Sequence, residues 1–447
     1  MLTVLTNADH FPASFWPRVR EFAVPPSMIE TATARREAGD WAGACVAAGF
    51  DVDIDLRSAA GVYGRELLAE VRSDLRQLVP DLLRWHLPRV APDGLLRPGV
   101  TISLARYHWG AAGFVHLVVR TAPAWADAGQ RVGLALWDAA GTTVGSHPHP
   151  RPDRRFRMDL HRHLWDADRA GELRERCGPG DDPPDPALLD MVPHGCAVDR
   201  WAAEARILLD VEGRQGNTVL VRLGARRRVI AELGPTGLHA TTYPAGSASA
   251  LPVLPDAATW QSPDLALLRT GAISLDRLHP MVAAALAPGS SRSESAGAPP
   301  PPERTHLVEC NGRQHRIGLV EGVLSALDHE PAEVQREELL AALSGTPVPC
   351  LQAIDQAHRQ PDCLAGVRER LAHGDTAGAL AVVEGLLGPE AILRDGALRD
   401  ELEAAAQQRI IHGLYRSGLS ASQVALQYPG TRRPRDRRAH PRYATRT

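Results

Sequence analysis

The sequence predicts a mixed α+β protein in three parts: a helical N-terminal region, a β-rich middle domain with helical hairpins, and a small C-terminal unit of β-meander plus helices. Three observations carry that expectation. Apolar residues recur at three- and four-residue spacing up to Arg89, and the period drops to two between Val100 and Asp138. Both patterns then return beyond PGSSRSESAGAPPPPE, a stretch from Pro288 to Glu303 with no residue able to anchor a core. The divisions that follow are a helical region at 1–95, a β-rich mixed domain at 96–287, a Pro/Ser/Gly linker at 288–304, a meander with helices at 305–430 and a disordered basic tail at 431–447.

Between Met28 and Arg89 the clearest local signal is TARREAGDWAGACVAAG, a helical hairpin. Gly39 is free to take the left-handed conformation that closes one helix, and the Asp40 carboxylate is placed to accept from the N–H groups that open the next. A longer helix is expected from Tyr63 to Trp85, where Leu67, Leu68, Val71, Leu75, Leu78, Val79, Leu82 and Leu83 share one face. The segments VTISLARY, FVHLVVRTA and QRVGLALWDA then alternate as antiparallel strands, and RRFRMDLHRHLW continues the alternation as a fourth. ADRAGELRERCG and DRWAAEARILL read as helices, while TVLVRL and RVIAEL read as strands joined by GARRR. PDLALLRTGAISLDRLHPMVAAAL repeats the hairpin grammar around Gly271. Past the linker, Asn311-Gly312 and Glu321-Gly322 punctuate a three-stranded meander, since a type I′ turn needs positive φ at both central residues. Helices occupy the remainder to about Gly418.

Composition narrows the chemistry. The chain has 447 residues, 44% of them hydrophobic, and all 50 of its basic residues are arginine. Without a lysine amine, Schiff-base and pyridoxal-phosphate chemistry, the P-loop and the protein-kinase ATP site are excluded in their usual forms. Cys45, Cys177, Cys196, Cys310, Cys350 and Cys363 lie scattered without a C-x-x-C pair, as expected of reduced, mostly buried thiols. No secretory signal and no run of about 18 apolar residues occurs, which points to a cytoplasmic protein with no membrane association.

HGDTAGALAVVEGLLGPEAILRDGALRDELEAAA, at 373–406, resembles a degenerate ankyrin repeat through Gly374-Asp375, Leu386-Leu387, Gly396 and Ala404 to Ala406. REAGDWAGACVAAGFDVDIDL is a fainter echo of the same unit. PDLLRWHLPR, LRTGAISLDRLHPMVAAAL and CNGRQHRIGLVEGVLSALDH resemble uncharacterised proteins of GC-rich actinobacteria, a group that implies no particular activity.

The strongest candidate for chemistry is a pair of H-x-H segments, His147 with His149 and His161 with His163. On a strand, alternate residues share a face, so each pair would present two imidazoles to an ion such as Zn²⁺. His194 with Cys196 is a weaker pair; His279 reads as a helix start and His315 as a strand residue. Arg226, Arg227 and Arg228 suit an anion-binding turn or a solvated loop. In the tail, Arg432, Arg433, Arg435, Arg437, Arg438 and Arg442 suit phosphate groups, with nucleic acid as the partner they imply. No nucleophile elbow, dinucleotide loop or H-E-x-x-H motif is present. The expectation is therefore a non-catalytic interaction or scaffold protein with a protein partner. The alternatives are a metal-dependent hydrolase using the paired histidines and a nucleic-acid-associated protein using the tail.

Overall fold

The structure is a computed structural model and describes residues 15–110, 113–141, 147–178, 180, 183–213, 216–224, 227–242, 247–289, 306–310, 312–345 and 347–427. The expected linker from 290 onward, Arg226, Asn311 and the whole basic tail lie outside the described residues. The architecture is mixed α+β, and the chain divides into two units, Met1–Ser291 with His412–Thr447, and Arg292–Ile411.

The first unit is built on a four-stranded sheet. Its strands are β1 (Phe50–Asp53), β4 (Thr101–His108), β5 (Phe114–Thr121) and β6 (Val132–Asp138); β2 (Arg89–Val90) and β3 (Leu95–Leu96) form a separate small ribbon. The order is β1-β6-β5-β4, with β1 parallel to β6 and the other pairs antiparallel. Helix Arg65–Gln77 lies on β4 and buries Leu67, Leu68, Val71 and Leu75, the stripe its periodicity marks out. Phe15, Val19 and Leu68 share one core with Ile102, Leu117 and Leu134, so the N-terminal helices and the sheet fold around the same apolar interior.

Two expected elements differ. The single helix from Tyr63 to Trp85 is instead Arg65–Gln77 followed by Pro80–His86. Pro80 disfavours helical backbone at the residue before it, and Val79 takes φ −106°, ψ 90°. Its N–H is then free to donate to the Trp165 carbonyl at 2.8 Å. The fourth strand over 154–165 is replaced by two 3₁₀ turns, Met158–Leu160 and Arg162–Leu164. There the N–H groups of Leu160, His161, Leu164 and Trp165 return to carbonyls three residues back, and a single bridge from Arg157 to Ser103 is the segment's pairing with β4.

A second core in this unit forms between helix Val198–Val211, which buries Trp201, Ala205 and Leu208, and a meander of β7 (Thr218–Arg222), β8 (Arg228–Gly234) and β9 (Gly237–Ala240). The second unit contains the meander β10 (His306–Cys310), β11 (Arg313–Val320) and β12 (Val323–Ala326). Its turn from β11 to β12 has φ 50° at Glu321 and 77° at Gly322, the I′ geometry expected there. Ile317 and Leu324 of the meander pack with Cys350, Ile354, Val367, Ala379 and Leu387 of helices Pro349–Arg359, Leu364–His373 and Thr376–Leu387.

One turn recurs in both units. Gly39 and Gly374 take φ 77° and 89°, closing one helix, and Asp40 and Asp375 accept from the N–H groups of Gly43 and Gly378 at 2.8 and 2.9 Å. A Cβ at Gly43 or Gly378 would fall 2.0 or 2.1 Å from the capping carboxylate, which is why both positions are glycine. No helix among the described residues is long and apolar enough to cross a membrane.

Candidate functional site

Four helices of the first unit, Leu173–Cys177, Val198–Val211, Pro263–Arg269 and Pro280–Leu286, meet around an open cleft of about 680 Å³. Pro263 and Pro280 start their helices where a missing N–H removes no intrahelical bond. Arg174 and Arg269 stand in the last turns of theirs, where a cation complements the helix dipole. With Arg200 they bring three guanidinium groups to the cleft against one carboxylate, Glu175, over apolar surface from Leu265 and Leu286. Arg174 and Arg269 are exposed and make no ion pair among the described residues. Arg200 lies 3.9 Å from Glu204, and its Nε is buried without a hydrogen-bond partner.

Behind the cleft is a buried polar cluster. Glu204 accepts from Arg176 through both oxygens, at 2.8 and 2.7 Å, and its Oε2 lies 3.3 Å from Nε2 of His161. Burial alone would raise its pKa, but His161 and Arg176 outweigh burial and bring it down to about 2. Asp264 is wholly buried and accepts from Arg20 and from the Trp85 indole, both at 2.9 Å, with His86 at 3.5 Å. Those partners overcome desolvation and hold it below the usual carboxylate range. His163 is kept neutral by burial first, then by His161, Arg176, His86 and Arg200 around it. Cys177, in the cleft wall, has its thiol pushed up to about 11 by burial and by Asp264, so it is protonated at neutral pH.

His147 is buried; its Nε2 donates to the Thr121 carbonyl at 3.0 Å and its Nδ1 accepts from the His149 N–H at 3.1 Å. His149 itself is exposed. Nδ1 of His161 donates to the Arg157 carbonyl at 3.0 Å, while its buried Nε2 lies 3.3 Å from a Glu204 oxygen without forming a hydrogen bond. His161 and His163 do lie together, ring centroids 5.7 Å apart. Among the described residues, the group whose donor atoms come within mutual reach of a metal is a different one, His315, His329 and Cys350 in the second unit. His194 and Cys196 are placed on a turn, with Cys196 bridged to Trp260.

Sequence reasoning missed Arg174, Arg200, Arg269, Glu204 and Asp264. Glu204 carried a readable signal: it stands three residues after Trp201 and four before Leu208, on the face that those two residues mark as buried. The three arginines had none, because their convergence depends on helices distant in sequence. No protein-family model, curated protein or solved structure matches the chain.

Proposed function

We propose that the protein is a non-catalytic binding protein whose first unit holds a small anionic ligand, a phosphate or carboxylate on an apolar body, in the cleft of Arg174, Arg200 and Arg269. The observation that carries this reading is the excess of guanidinium groups over carboxylates on one concave, partly apolar surface. Guanidinium groups bind carboxylates and phosphates through paired hydrogen bonds. The elevated Cys177 thiol supports binding over nucleophilic chemistry, and the committed nitrogens of His147 weigh against a metal-dependent hydrolase.

The test is thermal unfolding of the full chain against a panel of phosphate esters and carboxylates. A binder at about a hundredfold over its Kd stabilises the native state by about 2.7 kcal/mol. The variant Arg174→Ala/Arg269→Ala should unfold like the parent without ligand, since both side chains are exposed, and should lose the ligand-induced shift. Absence of any shift, or a shift retained in full by the variant, would refute the cleft. Turnover of a bound ligand by the isolated protein would refute the non-catalytic reading.

A protein partner is the second reading, favoured by helix Pro331–Ser344. None of its described side chains is buried, and Leu339 and Leu343 are 67% and 85% exposed. Recovery of a partner that is lost with Leu339→Glu/Leu343→Glu would support it. The nucleic-acid reading rests on the arginines of 431–447; deletion of that tail should flatten the fall of log K with log salt.

A further inference from the structure

We propose that His315, His329 and Cys350 form a transition-metal site in the second unit, and that Zn²⁺ is the ion it takes. His315 lies on β11, His329 in the connection between β12 and helix Pro331–Ser344, and Cys350 in the first turn of helix Pro349–Arg359. One donor atom from each residue lies within 4.8 Å of the other two. A tetrahedral Zn²⁺ with bonds of about 2.0–2.3 Å sets its donors roughly 3.3–3.8 Å apart, so closure onto the ion needs movement of at most about 1.5 Å.

The side chains are in the condition a ligand set requires. Nδ1 of His315 and Nε2 of His329 are both buried and have no hydrogen-bond partner, which is costly unless something occupies them. Nδ1 of His329 lies 3.5 Å from Glu333, an arrangement in which a carboxylate steadies the ring and leaves Nε2 for the metal. Cys350 is 1% exposed and enters from the second position of its helix, where the dipole favours negative charge. Arg316, next to His315, is paired with Asp328 at 2.7 Å, which offsets the nearest guanidinium. The fourth position is left to water or an exogenous donor, as in three-ligand zinc sites.

The two rings stack with centroids 4.5 Å apart and planes 10° from parallel. A lone pair lies in the plane of its ring, so two nearly parallel rings cannot both aim at one ion. Binding must tilt one of them. His329, in a loop, is the ring to move, while the strand holds His315. The inference is independent of the anion cleft.

The experiment uses the full chain stripped of metal with a chelator, then titrated with Zn²⁺ by calorimetry and with Co²⁺ by absorbance. The proposal predicts about one ion per chain, a thiolate-to-Co²⁺ charge-transfer band, and release of protons as the ion binds. Cys350→Ser should abolish the band, and Glu333→Gln should weaken Zn²⁺ binding about 10- to 100-fold. His329→Ala, at a half-buried loop position, should remove most of the affinity even if the Cys350 variant fails to fold. No Zn²⁺ uptake by the parent, uptake unchanged in His329→Ala, or a band that survives Cys350→Ser would overturn the site.

Discussion

In the first unit His147, His279 and His412 each have both ring nitrogens engaged, by backbone groups or by Asp81 and Asp51, whereas in the second unit His315 and His329 stack on each other and each keep a buried nitrogen without a partner. The H-x-H spacing singles out His147, yet that ring serves as a cross-link between backbone groups. The second group is separated by fourteen residues and by a strand, and the fold brings it together. Ligand competence follows from the convergence of donor atoms in space, which sequence spacing does not report.

The sharpest way to break this contrast is to uncover a charge in the first unit. Asp264→Asn leaves Arg20 buried without its anion and should cost about 3–5 kcal/mol in denaturant unfolding. Glu204→Gln should cost somewhat less, about 3 kcal/mol, because Arg176 is partly exposed and can reach water. Values below about 1 kcal/mol for both would mean the cluster is not structural.

Acid should separate the units next. Burial lowers the folded-state pKa of His147, His163 and His279, so the unfolded chain takes up protons first as pH falls. Their stabilisation is complete above the ordinary histidine value near ~6.5 and is lost below it, by up to about 1.4 kcal/mol per pH unit for each ring. Glu204, lowered to about 2, adds a later loss as pH falls from roughly 4.3 towards that value. In the second unit His358 is lowered in the same way, so the loss there should be smaller. Hydrogen-exchange protection factors at pH 7 and pH 5.5 should drop more along β4 and β5 than along β11; equal drops would erase the contrast.

The smallest expected effect comes from the residues that sequence favoured. His149→Ala, at an exposed position whose backbone makes the contacts, should change stability by less than about 0.5 kcal/mol and leave Zn²⁺ uptake as it was. Loss of Zn²⁺ binding in that variant would return the metal to the first unit.

Local grammar was legible and tertiary convergence was not. Gly39-Asp40 and Gly374-Asp375 announced their caps because glycine, carboxylate and the following glycine act within a few residues. The three central strands were readable from alternation, and the meander turn from Glu321-Gly322. The short β1, FDVD, was hidden by its two aspartates, one of which, Asp51, is held by Arg131, His412 and Arg416. RRFRMDLHRHLW misled because its apolar residues fit a strand and a pair of three-residue turns equally well. The cleft arginines sit on segments dozens of residues apart, and their meeting is a property of the packed core.

The most direct test of the account is a calorimetric titration of the full chain with phenyl phosphate, an anion with an apolar body, alongside the charge-reversed variant Arg174→Glu/Arg269→Glu. The account predicts saturable binding of about one ligand per chain that weakens with salt and falls at least tenfold in the variant, a loss of about 1.4 kcal/mol. Binding of equal strength in parent and variant, or none in the parent to this or any related anion, would contradict it.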